Sequence, residues 1–156
     1  MERSTSRMPL PPLTEDGERP PGVHLGSLSE VLGRFGVGSD QRKAVALRLA
    51  RVHPVAQATG HLARFVIFGS FVTSKSEPND IDILLVMSDA FDASALRGEA
   101  PLLFDHAAAQ AHFGASVFWL RRLAAWPNEQ AAVEFWQAKR GGGQRGIVEV
   151  TRGEAS

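Results

Sequence analysis

Phe68-Gly69-Ser70-Phe71-Val72-Thr73-Ser74-Lys75-Ser76-Glu77-Pro78-Asn79-Asp80-Ile81-Asp82-Ile83-Leu84-Leu85-Val86 is the stretch on which the reading of this chain turns. The segment Arg64 to Phe68 that leads into it is short, apolar and rich in strand formers, and it stops at Gly69-Ser70. A nine-residue spacer follows. Asp80 to Met87 then alternates acid and isoleucine before becoming apolar throughout. That pattern suits a strand buried on both faces, with two acids emerging at one end.

Each part of the stretch has a chemical use. A glycine at the end of a strand lets a phosphate approach the backbone, and Ser70 adds a hydroxyl. A short helix starting at Ser70 would direct free N–H groups at the phosphates. Asp80 and Asp82 stand two apart on a strand, so their side chains share a face with carbons about 7 Å apart. Two carboxylates so placed can converge on one Mg²⁺ or grip a pair; Mg²⁺ is a hard cation that commonly shares its oxygen ligands with substrate phosphates. Two acids with no nucleophile beside them suit metal-assisted phosphoryl transfer. Lys75, five residues past Ser70, is placed to meet a triphosphate, although a solvated surface role fits it equally.

Working outward, Ser27 to Phe35 reads as a short helix with Ser27 as cap and Glu30 three residues on, as in a capping box. Ser39 caps a second helix through Gly60, which Pro54 should kink or split. Its Arg42, Lys43, Arg48 and Arg51 are expected mostly in solvent. Beyond the central stretch, Pro101 to Phe113 leads into a helix capped by Asp105 and closed by Gly114. Ala115 to Leu120 reads as a third strand. Asn128 caps a helix running to Lys139-Arg140, and Gly146 to Val150 is a closing strand. Helices alternate with strands, so the expected fold is a single α/β (α+β) domain, a mixed sheet flanked by helices, over residues 23–152. Residues 1–22, with five prolines and few apolar side chains, read as a disordered leader.

The segment from Phe68 to Val86 resembles the signature of the nucleotidyltransferase superfamily: an apolar residue, Gly, Gly or Ser, a spacer, then Asp, apolar, Asp or Glu, apolar. The flanking segments, Gly22 to Phe35 and Gly146 to Val150, are similar to small bacterial proteins of unknown function of the DUF6932-like group. The resemblance implies a mixed sheet with helices, Mg²⁺ at Asp80 and Asp82, and a nucleoside triphosphate at Gly69 and Ser70. It further implies transfer of a nucleoside monophosphate to a hydroxyl or phosphate acceptor. Active members usually carry a third carboxylate on a later strand. Here Ala115 to Leu120 has none, and Ser116 or Phe118 would occupy its inward positions. Asp105 and Glu149 are substitutes by sequence position only. Two functions therefore stand open. One is an Mg²⁺-dependent nucleotidyltransferase with Asp80 and Asp82 as catalytic metal ligands. The other is a catalytically degenerate protein binding nucleotide or a protein partner, as in a toxin–antitoxin or defence pair. So small a chain has little room for an acceptor domain, and a partner or homodimer would complete the site.

Composition removes other classes. With no cysteine there are no disulfides, thiolate nucleophiles or Cys-based zinc sites. A formal charge of zero gives no general attraction to nucleic acid or anionic membrane. No apolar run approaches the ~20 residues needed to span a bilayer, and the N-terminus lacks the apolar centre of a signal peptide, so cytoplasmic residence is expected. The five histidines lack metal-ligand spacing. Arg121 and Arg122 read as a solvated pair or an acceptor contact, and Gly141-Gly142-Gly143 as a helix stop. Trp119, Trp126, Phe135 and Trp136 read as core, with base stacking by one of them the alternative.

Overall fold

The computed structural model describes residues 10–15, 17–139 and 142–151. Within them the chain forms β1 (Val23–Gly26), α1 (Leu28–Phe35), α2 (Asp40–Ala58), β2 (Leu62–Phe68) and β3 (Ile81–Met87). There follow α3 (Ala100–Leu103), α4 (His106–Phe113), β4 (Ala115–Arg121), α5 (Glu129–Glu134) and β5 (Ile147–Val150). The strands make one sheet in the order β1-β5-β2-β3-β4. β1 pairs with β5 and β3 with β4 in parallel, while β2 is antiparallel to both β3 and β5. This is the expected single-domain mixed α/β fold.

Alternation along the strands divides the apolar side chains into two layers. Ile81, Ile83, Leu85 and Met87 of β3 join Phe65 and Ile67 of β2 under α1, α2 and α4, whose Val31, Leu49 and Phe113 complete the larger core. Val66, Leu84, Val86 and Ile147 form a smaller cluster on the opposite face, covered by Val133 of α5 and by Trp136. β3 is thus buried on both faces except at Asp82.

The caps follow the sequence. Ser27 accepts from the Glu30 N–H at 3.1 Å, Ser39 from the Arg42 N–H at 3.1 Å, and Asp105 from the Ala108 N–H at 3.0 Å. Gly114 closes α4 in the left-handed conformation at φ 67°, where a side chain is disfavoured.

Several expectations are corrected. The leader drawn over residues 1–22 is packed from Leu10 onward; residues 1–9 and Asp16 lie outside the described residues. Leu10 is buried in the larger core, and its N–H donates to the Glu30 carboxylate at 2.8 Å. Arg19 is 1% exposed, donates to the Pro11 carbonyl at 2.9 Å and lies over the Phe35 ring. In this strap a few deeply placed anchors replace the missing apolar periodicity. β1, only four residues long, falls inside what reads as a loop.

Helix α2 is not split at Pro54, which stands inside the unbroken element. Loss of one intrahelical bond is outweighed by burial of Leu49, Val52 and Ala56 around it. Arg42 is buried rather than solvated. Its guanidinium donates to the carbonyls of Phe35, Phe71, Thr73 and Lys75 at 2.5–3.0 Å, tying α1 and α2 to the segment after Gly69. The last helix is shorter than expected. α5 ends at Glu134, a 3₁₀ turn covers Phe135–Gln137, and Ala138 bridges to Gln144. The Gln137 carbonyl accepts from the Arg145 N–H at 2.8 Å, and its side chain accepts from the Gly22 N–H at 2.5 Å. The chain is thereby drawn back into a hairpin.

Candidate functional site

Register places the acids. Phe68, the last residue of β2, lies opposite Asp82, and Asp82 lies opposite Ser116 of β4. The strand end before Gly69 and the acidic end of β3 are therefore one location. Gly69 has φ 83° and ψ −162°, and a 3₁₀ turn covers Ser70–Val72. A Cβ at Gly69 would collide with the Asp82 carboxylate. The glycine is needed for its backbone conformation and for this close approach.

Around this point opens a cleft of about 790 Å³. Gly69, Ser70, Lys75 and Asp82 all line it, together with Lys139 and Arg145. Four of the five residues singled out from the sequence thus share one cavity. Asp80, the fifth, stands beside it. One of its oxygens accepts from the Ile81 N–H at 2.8 Å and lies 3.9 Å from the Arg48 guanidinium. The other accepts from the Ser116 hydroxyl at 3.0 Å. Asp82, by contrast, has no hydrogen-bond donor or ion-pair partner among the described residues. Burial, then the nearby Asp80 charge, push its carboxyl up to about 6, against a smaller opposing pull from Arg145. An acid placed so is short of positive charge.

Of the cleft's cations the sequence points to Lys75 alone; Lys139 reads as an ordinary helix terminus and Arg145 carries no signal. Arg145 pairs with Glu18 through its Nε at 2.5 Å, and Lys139 Nζ lies 3.9 Å from the same carboxylate. The hydrogen bond from Arg145 holds the Glu18 carboxyl below its usual range. Glu18 belongs to the strap formerly read as leader, and the Gly17 carbonyl accepts from the Ser74 N–H at 2.9 Å, so the strap borders the cleft on that side.

The two substitute acids are elsewhere engaged. Asp105 caps α4. Glu149 accepts from Arg64 at 2.7 Å, and Arg64 also reaches Glu129. Opposite Val66 in register, Glu149 is two strands and one pleat from Asp82, about 12 Å by ordinary sheet spacings. Among the described residues no group of three His, Cys, Asp or Glu side chains can hold a metal ion. The position facing Asp82 on β4 is Ser116, as alternation anticipates.

Most of the remaining candidates have structural partners. Arg121 donates to the Phe91 carbonyl and lies over Trp119, and Arg122 pairs with Glu129. His53 is buried edge-on against Phe65. A second cavity of about 450 Å³ beside His53 has no acidic, Lys or Arg side chain in its wall. Trp119 and Trp136 pack as expected, but Trp126 and Phe135 are 84% and 70% exposed, which corrects their assignment to the core.

Fold and site together define a single-domain α/β protein with a mixed sheet whose β2–β3 end opens into a cleft with one unpaired aspartate and several cations. The chain belongs to the family of unknown function DUF6932, whose model matches residues 11–151. That span takes in the strap from Pro11 as well as the sheet. No curated protein and no solved structure matches the chain. No helix among the described residues is long and apolar enough to cross a membrane.

Proposed function

We propose that the cleft binds a nucleoside triphosphate with a single Mg²⁺, held chiefly by Asp82 with Asp80 beside it. The observation that carries this reading is the unpaired Asp82 carboxylate under Gly69, pushed up to about 6 in a cavity that also holds Lys75, Lys139 and Arg145. A hard dication relieves an acid of this kind, and phosphate oxygens complete its coordination. The residues present fit one such ion. Bound there, Mg²⁺ would supply charge neutralisation for a phosphoryl group.

The chain's own residues do the rest. Gly69, having no side chain, leaves the backbone open to phosphate, and the Ser70 hydroxyl is uncommitted among the described residues. Lys75, Lys139 and Arg145 offer positive charge from the walls. Asp80 is oriented by Ser116 and the Ile81 N–H, so it enters the site as a fixed neighbour of Asp82. The full reaction implied by the resemblance is transfer of a nucleoside monophosphate to a hydroxyl or phosphate acceptor, with Asp80 and Asp82 as the acidic pair. A second reading, binding without transfer, is favoured by one observation: the strand facing Asp82 presents Ser116 and no third acid.

Calorimetric titration of the parent and Asp82→Asn with each nucleoside triphosphate, in Mg²⁺ and in excess chelator, tests the binding. Metal-dependent affinity present in the parent and absent in the variant is expected. Equal affinity in both, or affinity indifferent to chelator, refutes the assignment. Incubation with α-labelled triphosphates, with and without cell extract, separates transfer from binding.

A further inference from the structure

Phe135 has no place in the core. It sits in the 3₁₀ turn after α5, is 70% exposed, and its residue lines the same cleft as Gly69 and Asp82. Beneath it the aromatic rings form a contiguous, mutually tilted cluster. Phe68, opposite Asp82 in register, packs on Trp136 with centroids 4.8 Å apart, and Trp136 packs on Phe118 at 5.0 Å. Phe135 lies edge-on to Trp136 at 6.2 Å and is the outermost member. The cleft therefore combines an acid at the strand end, cationic walls and an exposed aromatic ring on a packed support.

We infer that Phe135 is a stacking platform for the nucleobase, so that the ligand class is nucleoside triphosphates taken largely without regard to the base. This rests on the triphosphate reading above. The support for Phe135 is rigid because the turn is tied down: the Gln137 side chain accepts from the Gly22 N–H and donates to the Glu134 carbonyl at 3.3 Å. Those same bonds commit the Gln137 amide, the nearest neutral donor–acceptor group in sequence, and remove it from reading a base edge. A ring face accepts any base, and the amide beside it in the turn, Gln137, is already committed.

The test compares inorganic tripolyphosphate with ATP, GTP, CTP and UTP, each with Mg²⁺, on the parent, Phe135→Ala and Phe135→Trp. Because Phe135 is largely exposed, truncation should leave the melting temperature within about 1 °C. In the parent, the four nucleotides should bind within about tenfold of one another, and each about tenfold tighter than tripolyphosphate. Phe135→Ala should weaken all four by about tenfold while changing tripolyphosphate by less than about twofold, and Phe135→Trp should restore them. Stacking is overturned if Phe135→Ala binds nucleotides as the parent does, if it weakens tripolyphosphate equally, or if one base is preferred beyond that tenfold range. In those cases the phosphate and metal reading survives wherever tripolyphosphate still binds the parent. A parent that binds neither tripolyphosphate nor nucleotide refutes both.

Discussion

Replacing Asp82 by Asn should stabilise the protein at neutral pH when no metal is present. Folding moves the Asp82 carboxyl from its ordinary 3.8 to about 6. The native state therefore binds more protons than the unfolded chain between those values, and stability falls as pH rises through that window. The penalty is absent below about pH 3.8 and complete above about pH 6. At ~1.36 kcal/mol per pH unit the displacement corresponds to about 3 kcal/mol, which solvent at the mouth of the cleft reduces to roughly 1–2 kcal/mol. For a chain of this size that is a rise of roughly 3–6 °C in melting temperature for Asp82→Asn at pH 7.5. Thermal unfolding of parent and variant from pH 4 to 8 in chelator measures it directly. The gap should open between pH 4 and 6 and stay constant above. Adding Mg²⁺ with triphosphate should raise the parent and leave the variant unmoved, which reverses the order. A variant less stable than the parent in chelator at pH 7.5, or a gap that does not change with pH, would refute the view of Asp82 as a buried, unpaired acid.

Three further outcomes follow from the packing. Arg42→Met leaves the carbonyls of Phe35, Phe71, Thr73 and Lys75 without their donor; denaturant unfolding should show a loss of about 3 kcal/mol or more, and a loss under about 1 kcal/mol would contradict that role. Ser116→Asp places a carboxylate opposite Asp82 and against Asp80. Without metal it should cost about 1–2 kcal/mol at pH 7.5, less at pH 4.5, and it should tighten Mg²⁺ binding; unchanged metal affinity would show that the position does not face the site. Removal of residues 1–22 takes away Leu10, Arg19 and the Glu18–Arg145 pair. The melting temperature should drop by several degrees, and an unchanged value would restore the strap to the status of a free leader.

The central features were legible because they rest on short-range rules. A strand that ends at Gly69, two acids flanking Ile81 and an apolar run after them fix which backbone approaches which carboxylate once the two strands pair. Alternation puts Asp80 and Asp82 on one face, and the same rule identifies Ser116 as an inward residue of β4. Ser27, Ser39 and Asp105 cap helices because a hydroxyl or carboxylate satisfies orphan N–H groups locally.

What the tertiary structure alone decided is everything that depends on partners distant in sequence. Arg42 has the same helical position whether solvated or buried; only the four carbonyls waiting beside it make burial favourable. The strap from Leu10 has no periodicity to read, since its anchors find partners distant in sequence: Leu10 and Arg19 on α1, Glu18 at Arg145. Arg145 and Lys139 become cleft residues because the hairpin after α5 folds back past Gly69. Phe135 and Trp136 are neighbours of like composition, yet one is packed on Phe68 and Phe118 and the other stands open to solvent. A single residue's step around a 3₁₀ turn separates the two, and no periodicity in so short an element tells which ring will face the sheet.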